Sequence, residues 1–101
     1  MNAQLLNDGT ARWFDVDRAR KYDEDTYATN GNHYSRATGS QWDHESVYHT
    51  AGNAWIKRFW SNYQGRRETF EVLGVDEAYN WLVRNDHRQV VPAEYLMAQE
   101  V

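Results

Sequence analysis

The side chains best suited to acid–base chemistry or metal binding lie closest together at His44, Glu45 and His49. On one extended strand His44 would face one side, and Glu45 and His49 the other. Two ligands from one strand face need an even spacing, whereas His44 and His49 are five apart, so a joint site would require a bulge. His-Glu-Ser-Val-Tyr-His does not match the helical HExxH pattern, whose second histidine lies at i+4. The His-x-Glu opening of the zinc deaminases also requires two cysteines, and the chain has none. No metal and no cofactor are expected. A metal-free combination of His33, His44 or His49 with Glu45, Tyr48 or Glu68 would suit phosphodiester cleavage by a small His/Glu-dependent hydrolase or nuclease. Ordinary hydrogen-bonded histidines account for the same residues, so enzymatic activity is disfavoured.

A second pattern is the aromatic and basic run Trp55-Ile56-Lys57-Arg58-Phe59-Trp60, followed by Arg66-Arg67. Trp55, Lys57 and Phe59 would share one strand face and, with Arg66 and Arg67, could form a stacking platform for single-stranded nucleic acid. The net charge of −4 opposes this. The plainer alternative makes the rings core, with Lys and Arg stems lying across them. Trp, Tyr and Arg are also the residues that anchor protein interfaces. The leading expectation is therefore a non-enzymatic protein-interaction or accessory module with a protein partner, ahead of nucleic-acid binding and of hydrolysis. Asp15, Asp17, Asp23, Glu24 and Asp25 form an acidic segment without the alternation and glycine of a calcium loop, and read as a solvated face. Gly-rich phosphate loops, a GxSxG elbow and a dinucleotide fingerprint are all absent.

The elements that must position these residues fit one domain. The chain has 101 residues, 41% of them hydrophobic and 15% aromatic, a share that lets a small core gain area from large flat rings. It shows no secretory signal pattern and no apolar run near the roughly 20 residues of a membrane span, so a cytoplasmic location is expected. Residues 1–10 read as a flexible lead, 11–91 as a single α+β domain, and 92–101 as a tail able to form a helical turn. Val16, Ala19, Arg20 and Asp23 predict a short helix over 16–23. The polar stretch 25–40 carries turn signals and a short extended piece around 33–36. Ala51-Gly52-Asn53 separates two strands, 45–50 and 54–61, as a hairpin. A third strand spans 68–73. Gly74 as N-cap, Ala78, Trp81, Leu82 and Asn85 on one face, and the Asn85-Asp86 stop predict a helix over 75–84. The fold class is α+β: a three- to four-stranded antiparallel meander with this helix packed on it and a short N-terminal helix. Trp81 and Leu82 should meet Val47, Ile56 or Phe70.

Thr38-Gly39-Ser40-Gln41-Trp42, Tyr48-His49-Thr50, Trp55-Ile56, Gln64-Gly65, and Glu77-Ala78 with Trp81-Leu82 and Asn85 carry a resemblance. Across residues 14–85 the chain is similar to a group of small uncharacterised bacterial proteins with the order TGSxW, YxT, W(I/L), QG and EAxxWLxxN. These motifs are turn, hairpin and helix-start chemistry. The resemblance implies a bacterial, cytoplasmic, single-domain accessory protein and no particular activity.

Overall fold

The computed structural model describes all residues, Met1–Val101. In chain order it forms β1 (Ala3–Leu5), β2 (Trp13–Asp15), a 3-10 turn (Val16–Arg18), β3 (Arg20–Asp23), β4 (Thr26–Thr29) and β5 (Asn32–Ser35). There follow β6 (Asp43–His49), β7 (Trp55–Ser61), β8 (Thr69–Leu73), α1 (Val75–Arg84), a second 3-10 turn (Arg88–Val90) and α2 (Ala93–Ala98). The main sheet has the order β3-β6-β7-β8 and is antiparallel throughout, while β1-β2 and β4-β5 are separate two-stranded ribbons. The fold is α+β.

The hairpin β6-β7 is the centre of the sheet, with His49 opposite Trp55 and His44 opposite Trp60. Its turn is closed by Thr50, whose backbone N–H donates to the Ala54 carbonyl and whose Oγ1 accepts from the Ala54 N–H. Asn53, not Gly52, takes the left-handed backbone conformation, at φ 67°. The alternation of the strands then sorts side chains into two cores. Phe14, Tyr48, Ile56 and Phe70 pack on one face beneath the β1-β2 ribbon, with Leu6 and Val16 beside them. Val47, Trp81, Leu82 and Val91 pack on the other, beneath α1 and the segment after it. So Trp81 and Leu82 meet Val47 as expected, whereas Ile56 and Phe70 belong to the opposite face.

Helix α1 begins after Gly74 with Asp76 and Glu77 in its first turn and Arg84 in its last, the charge order that suits a helix dipole. Its end is a Schellman-type stop: the His87 N–H donates to the Leu82 carbonyl and Asp86 takes φ 68°. Asn85 is buried there, donating to the Trp81 carbonyl and accepting from the Asp25 N–H. That ties the connection after β3 to the helix terminus.

Two segments depart from the sequence expectation, and a third, near 33–36, agrees with it. The helix over 16–23 reduces to the single 3-10 turn Val16–Arg18, and Arg20–Asp23 is a strand paired with Ser46 to His49. Edge backbone groups of β6 outweigh the local i, i+3 pattern. Residues 1–10, expected as a flexible lead, contain β1, and Asn7 engages both backbone groups of Phe70, its N–H to the carbonyl and its Oδ1 to the N–H. The extended piece near 33–36 is β5, joined to β4 through Asn30 and Gly31, both at positive φ.

The ribbons broaden the molecule to 41 × 41 × 21 Å, with a radius of gyration of 14.6 Å. A compact domain of this length would have about 13 Å. Only 12 residues are buried, so much of the apolar side-chain area stays within reach of solvent or a partner. No helix is long and apolar enough to cross a membrane.

Candidate functional site

The three candidate catalytic residues do not converge. His44 turns toward Glu24, a residue set between β3 and β4. Its Nδ1 lies 2.6 Å from Glu24 Oε2, while Glu24 Oε1 accepts from Ser35 Oγ at 2.6 Å and from the Glu45 N–H at 2.7 Å. The Glu24 side chain is 10% exposed and that of His44 21%. This geometry suits a proton on Nδ1 and leaves Nε2 to accept from the Asn62 amide, 3.4 Å away. A carboxylate holding a histidine in one tautomer is the arrangement of a general base. However, Trp60 stacks on the imidazole at 5.3 Å, and none of the four surface cavities is lined by His44. Ser35 Oγ accepts from the Ala37 and Thr38 N–H groups and is buried, so it serves as a turn anchor. The whole cluster fastens the β4-β5 ribbon to the sheet.

Glu45 faces the opposite side, accepting from Trp81 Nε1 at 3.0 Å and pairing with Lys57 at 3.7 Å. Of the other acid–base candidates, His33 is exposed on β5, Tyr48 is in the core against Phe14, and Glu68 pairs with Arg58. No group of three or more His, Cys, Asp or Glu side chains is placed to hold a metal ion.

Trp55, Lys57 and Phe59 do share one face, but it is not an open platform. Trp55 lies against α1, edge-on to Tyr79 with ring centroids 6.1 Å apart. Phe59 is four residues along the strand, about 13 Å away, and is covered by the Arg66 guanidinium at 5.2 Å. Arg66 also pairs with Asp43 at 3.6 Å. Arg67 is exposed and joins none of these contacts. The cations of the run are thus largely matched by carboxylates: Lys57 by Glu45, Arg58 by Glu68, Arg66 by Asp43.

Two surfaces among the four cavities bring together aromatic residues that the sequence pattern or the strand pairing singles out. The first is a cavity of about 320 Å³ between β3, the β6-β7 turn and α1, lined by Tyr22, His49, Asn53, Trp55 and Tyr79 with two valines closing it. His49 and Trp55 stack in parallel, 4.1 Å between centroids and 10° between planes, and His49 Nε2 is 2.7 Å from Asn53 Oδ1. Tyr22 lies 6.2 Å from Trp55. His49 and Trp55 were both singled out by the sequence. Tyr22 and Tyr79 were not, because only the pairing of β3 with β6 and the packing of α1 bring them there.

The second is the β1-β2 ribbon and the groove beside it. Antiparallel pairing sets Leu5 opposite Trp13 and Gln4 opposite Phe14. Phe14 enters the core, so Leu5 and Trp13 are on the outward side, where they are 60% and 52% exposed. Along the ribbon runs a cavity of about 650 Å³, lined by Leu6, Trp13, Phe14, Ile56, Val72 and the β6-β7 turn, with Arg12 and Arg18 at its rim. Two aspartates hold the ribbon. Asp8 accepts from the Thr10 hydroxyl and N–H and from the Arg12 guanidinium, which lower its pKa to about 2. Asp15 accepts from the Asn2 and Asp17 N–H groups, and these hold its carboxyl below the usual range. The sequence signal for this surface was the pair of leucines at 5 and 6 and the short apolar run at Trp13-Phe14. No family model, curated protein or solved structure matches the chain.

Proposed function

We propose that the protein is a non-enzymatic interaction module that binds a protein partner through the outer face of the β1-β2 ribbon and the adjoining groove. The observation that carries this is the Leu5–Trp13 cross-strand pair, more than half exposed at both positions, beside a largely apolar groove. Nothing in the fold uses that side of the ribbon, since its inward side already supplies Phe14 to the core. A large aromatic side chain next to arginines, flanked by an apolar depression, is the composition of an interface anchor. On the same proposal, the module would act in a bacterial cytoplasm, as the sequence motifs suggest.

The carboxylate partners of Lys57, Arg58 and Arg66 weigh against single-strand nucleic-acid binding, because those cations would have to exchange a partner to meet phosphate. The stacked face of His44 and its absence from every cavity lining weigh against hydrolysis.

The test is a paired capture experiment with the native chain and the Leu5→Ser, Trp13→Ser variant. Exposed positions should cost little stability, so the variant is expected to fold like the native chain. A partner retained by the native chain should be lost by the variant, with binding weakened by about 2 kcal/mol or more. Equal capture by both would refute the assignment, as would salt-sensitive oligonucleotide binding that the variant retains.

A further inference from the structure

We propose that the Tyr22–Trp55–Tyr79 cavity, a site separate from the ribbon, is a receptor for a free quaternary ammonium compound of the choline type. Three aromatic rings and an imidazole meet in a space of about 320 Å³, enough for one compact headgroup. Trp55 is central to the set. One of its faces is taken by His49, Tyr79 stands edge-on to it at 77°, and Tyr22 is inclined to it by 36°. Rings set at such different angles cannot stack one flat ligand between them. They suit a compact, roughly spherical group touching several ring surfaces.

The chemistry of the walls selects charge as well as shape. Aromatic faces carry negative quadrupole density and attract cations, most strongly when these are weakly hydrated. A methylated ammonium loses little hydration on entry and presents methyl groups to the rings and the two valines. No lysine or arginine lines the cavity, so no side chain of the protein already occupies it as the cation. Asn53 Oδ1 is engaged by His49 Nε2, which fixes the imidazole against Trp55 and keeps the pocket shape. An anion would find no lysine or arginine in the lining. A net charge of −4 adds a favourable long-range field for a cation.

The placement of the cavity favours a free small molecule over a peptide side chain. The cavity is bounded by β3, the β6-β7 turn, α1 and the 3-10 turn after it, so walls stand on all these sides. The exposed apolar strip that would seat a peptide backbone lies on the other face of the sheet, along the ribbon.

The experiment compares choline with 3,3-dimethylbutan-1-ol, its neutral isostere, by titrating the full chain and following the five tryptophan indole N–H signals by NMR. Saturable shifts centred on Trp55, with the neutral alcohol at least about tenfold weaker, are the expected result. Tyr22→Leu and Tyr79→Leu should each weaken choline binding by several-fold. If either variant fails to fold, the comparison of the two ligands on the native chain still decides. Equal affinity for choline and the alcohol would overturn the proposal, because shape alone would then explain both. So would shifts centred on Trp42 or Trp60, or no saturation up to about 50 mM. A trimethyllysine peptide that binds more tightly than choline would overturn the assignment to a free small molecule.

Discussion

Glu24→Ala removes the acceptor for three donors at once: Ser35 Oγ at 2.6 Å, the Glu45 N–H at 2.7 Å and His44 Nδ1 at 2.6 Å. A net hydrogen bond contributes about 1 kcal/mol, and one to a charged acceptor about 1.5–3. The Ser35 hydroxyl can reorient, but the Glu45 N–H and the imidazole lose their partner in a site where the carboxylate is only 10% exposed. The sum is a loss of about 3–5 kcal/mol. For a domain near 100 residues each kcal/mol shifts Tm by roughly 4–8 °C, so a drop of at least about 12 °C, and up to about 40 °C, is expected. Glu24→Gln keeps an oxygen for Ser35 and Glu45 and presents an amide to His44, whose ring can accept by changing tautomer. It should cost only about 1 kcal/mol. Urea unfolding followed by tryptophan fluorescence measures both. If the alanine variant stays within about 1 kcal/mol of the native chain, the cluster does not fasten the β4-β5 ribbon as described.

Leu82→Ala, at a fully buried position under α1, should cost about 3–4 kcal/mol in the same assay. Trp60→Ala, at a partly exposed position, should cost clearly less, and the reverse order would misplace the core. Asp86→Gly should stabilise by about 0.5 kcal/mol, because glycine accepts the left-handed conformation at φ 68° without a Cβ clash; a lower Tm would show that Asp86 has a role the backbone does not explain. Acid should loosen the β1-β2 ribbon. The Asp8 pKa is depressed from 3.8 to about 2, so its contribution is complete above the unfolded value and is lost as pH falls through the folded one, and Asp15 acts in the same direction. Between about pH 4 and 2 the Leu6 amide, bonded to the Arg12 carbonyl, should lose protection relative to its intrinsic exchange rate, and Asp8→Asn should abolish most of that pH dependence.

The parts of the fold legible in the sequence are those fixed by neighbours in the chain. The β6-β7 hairpin follows from alternating aromatic and β-branched residues around a Gly-Asn turn, and α1 from a four-residue apolar spacing between Gly74 and Asp86. Segments fixed by distant partners were misread or missed. Val16 and Ala19 do pack on the Phe14 core, as a helical face would, yet Arg20–Asp23 is drawn out as a strand by β6, more than twenty residues on. Glu24 looked like one carboxylate in a solvated acidic run, because His44, Ser35 and the Glu45 N–H meet it only after the sheet assembles. The same holds for the aromatic cavity. His49 and Trp55 are close in sequence across a turn, but Tyr22 and Tyr79 come from elements 57 residues apart and carry no local mark of shared purpose.

Asn7 is joined to Phe70 by two hydrogen bonds that span 63 residues. In a folding chain the loop between them is among the last to close, since its entropy must be spent before the contact returns anything. The ribbon should therefore behave as a late-forming, early-opening unit, frayed in a native population while the hairpin and α1 remain protected. A partner gripping Leu5 and Trp13 would hold that unit shut, and would slow amide exchange at Phe70, on the far strand of the sheet, without touching it.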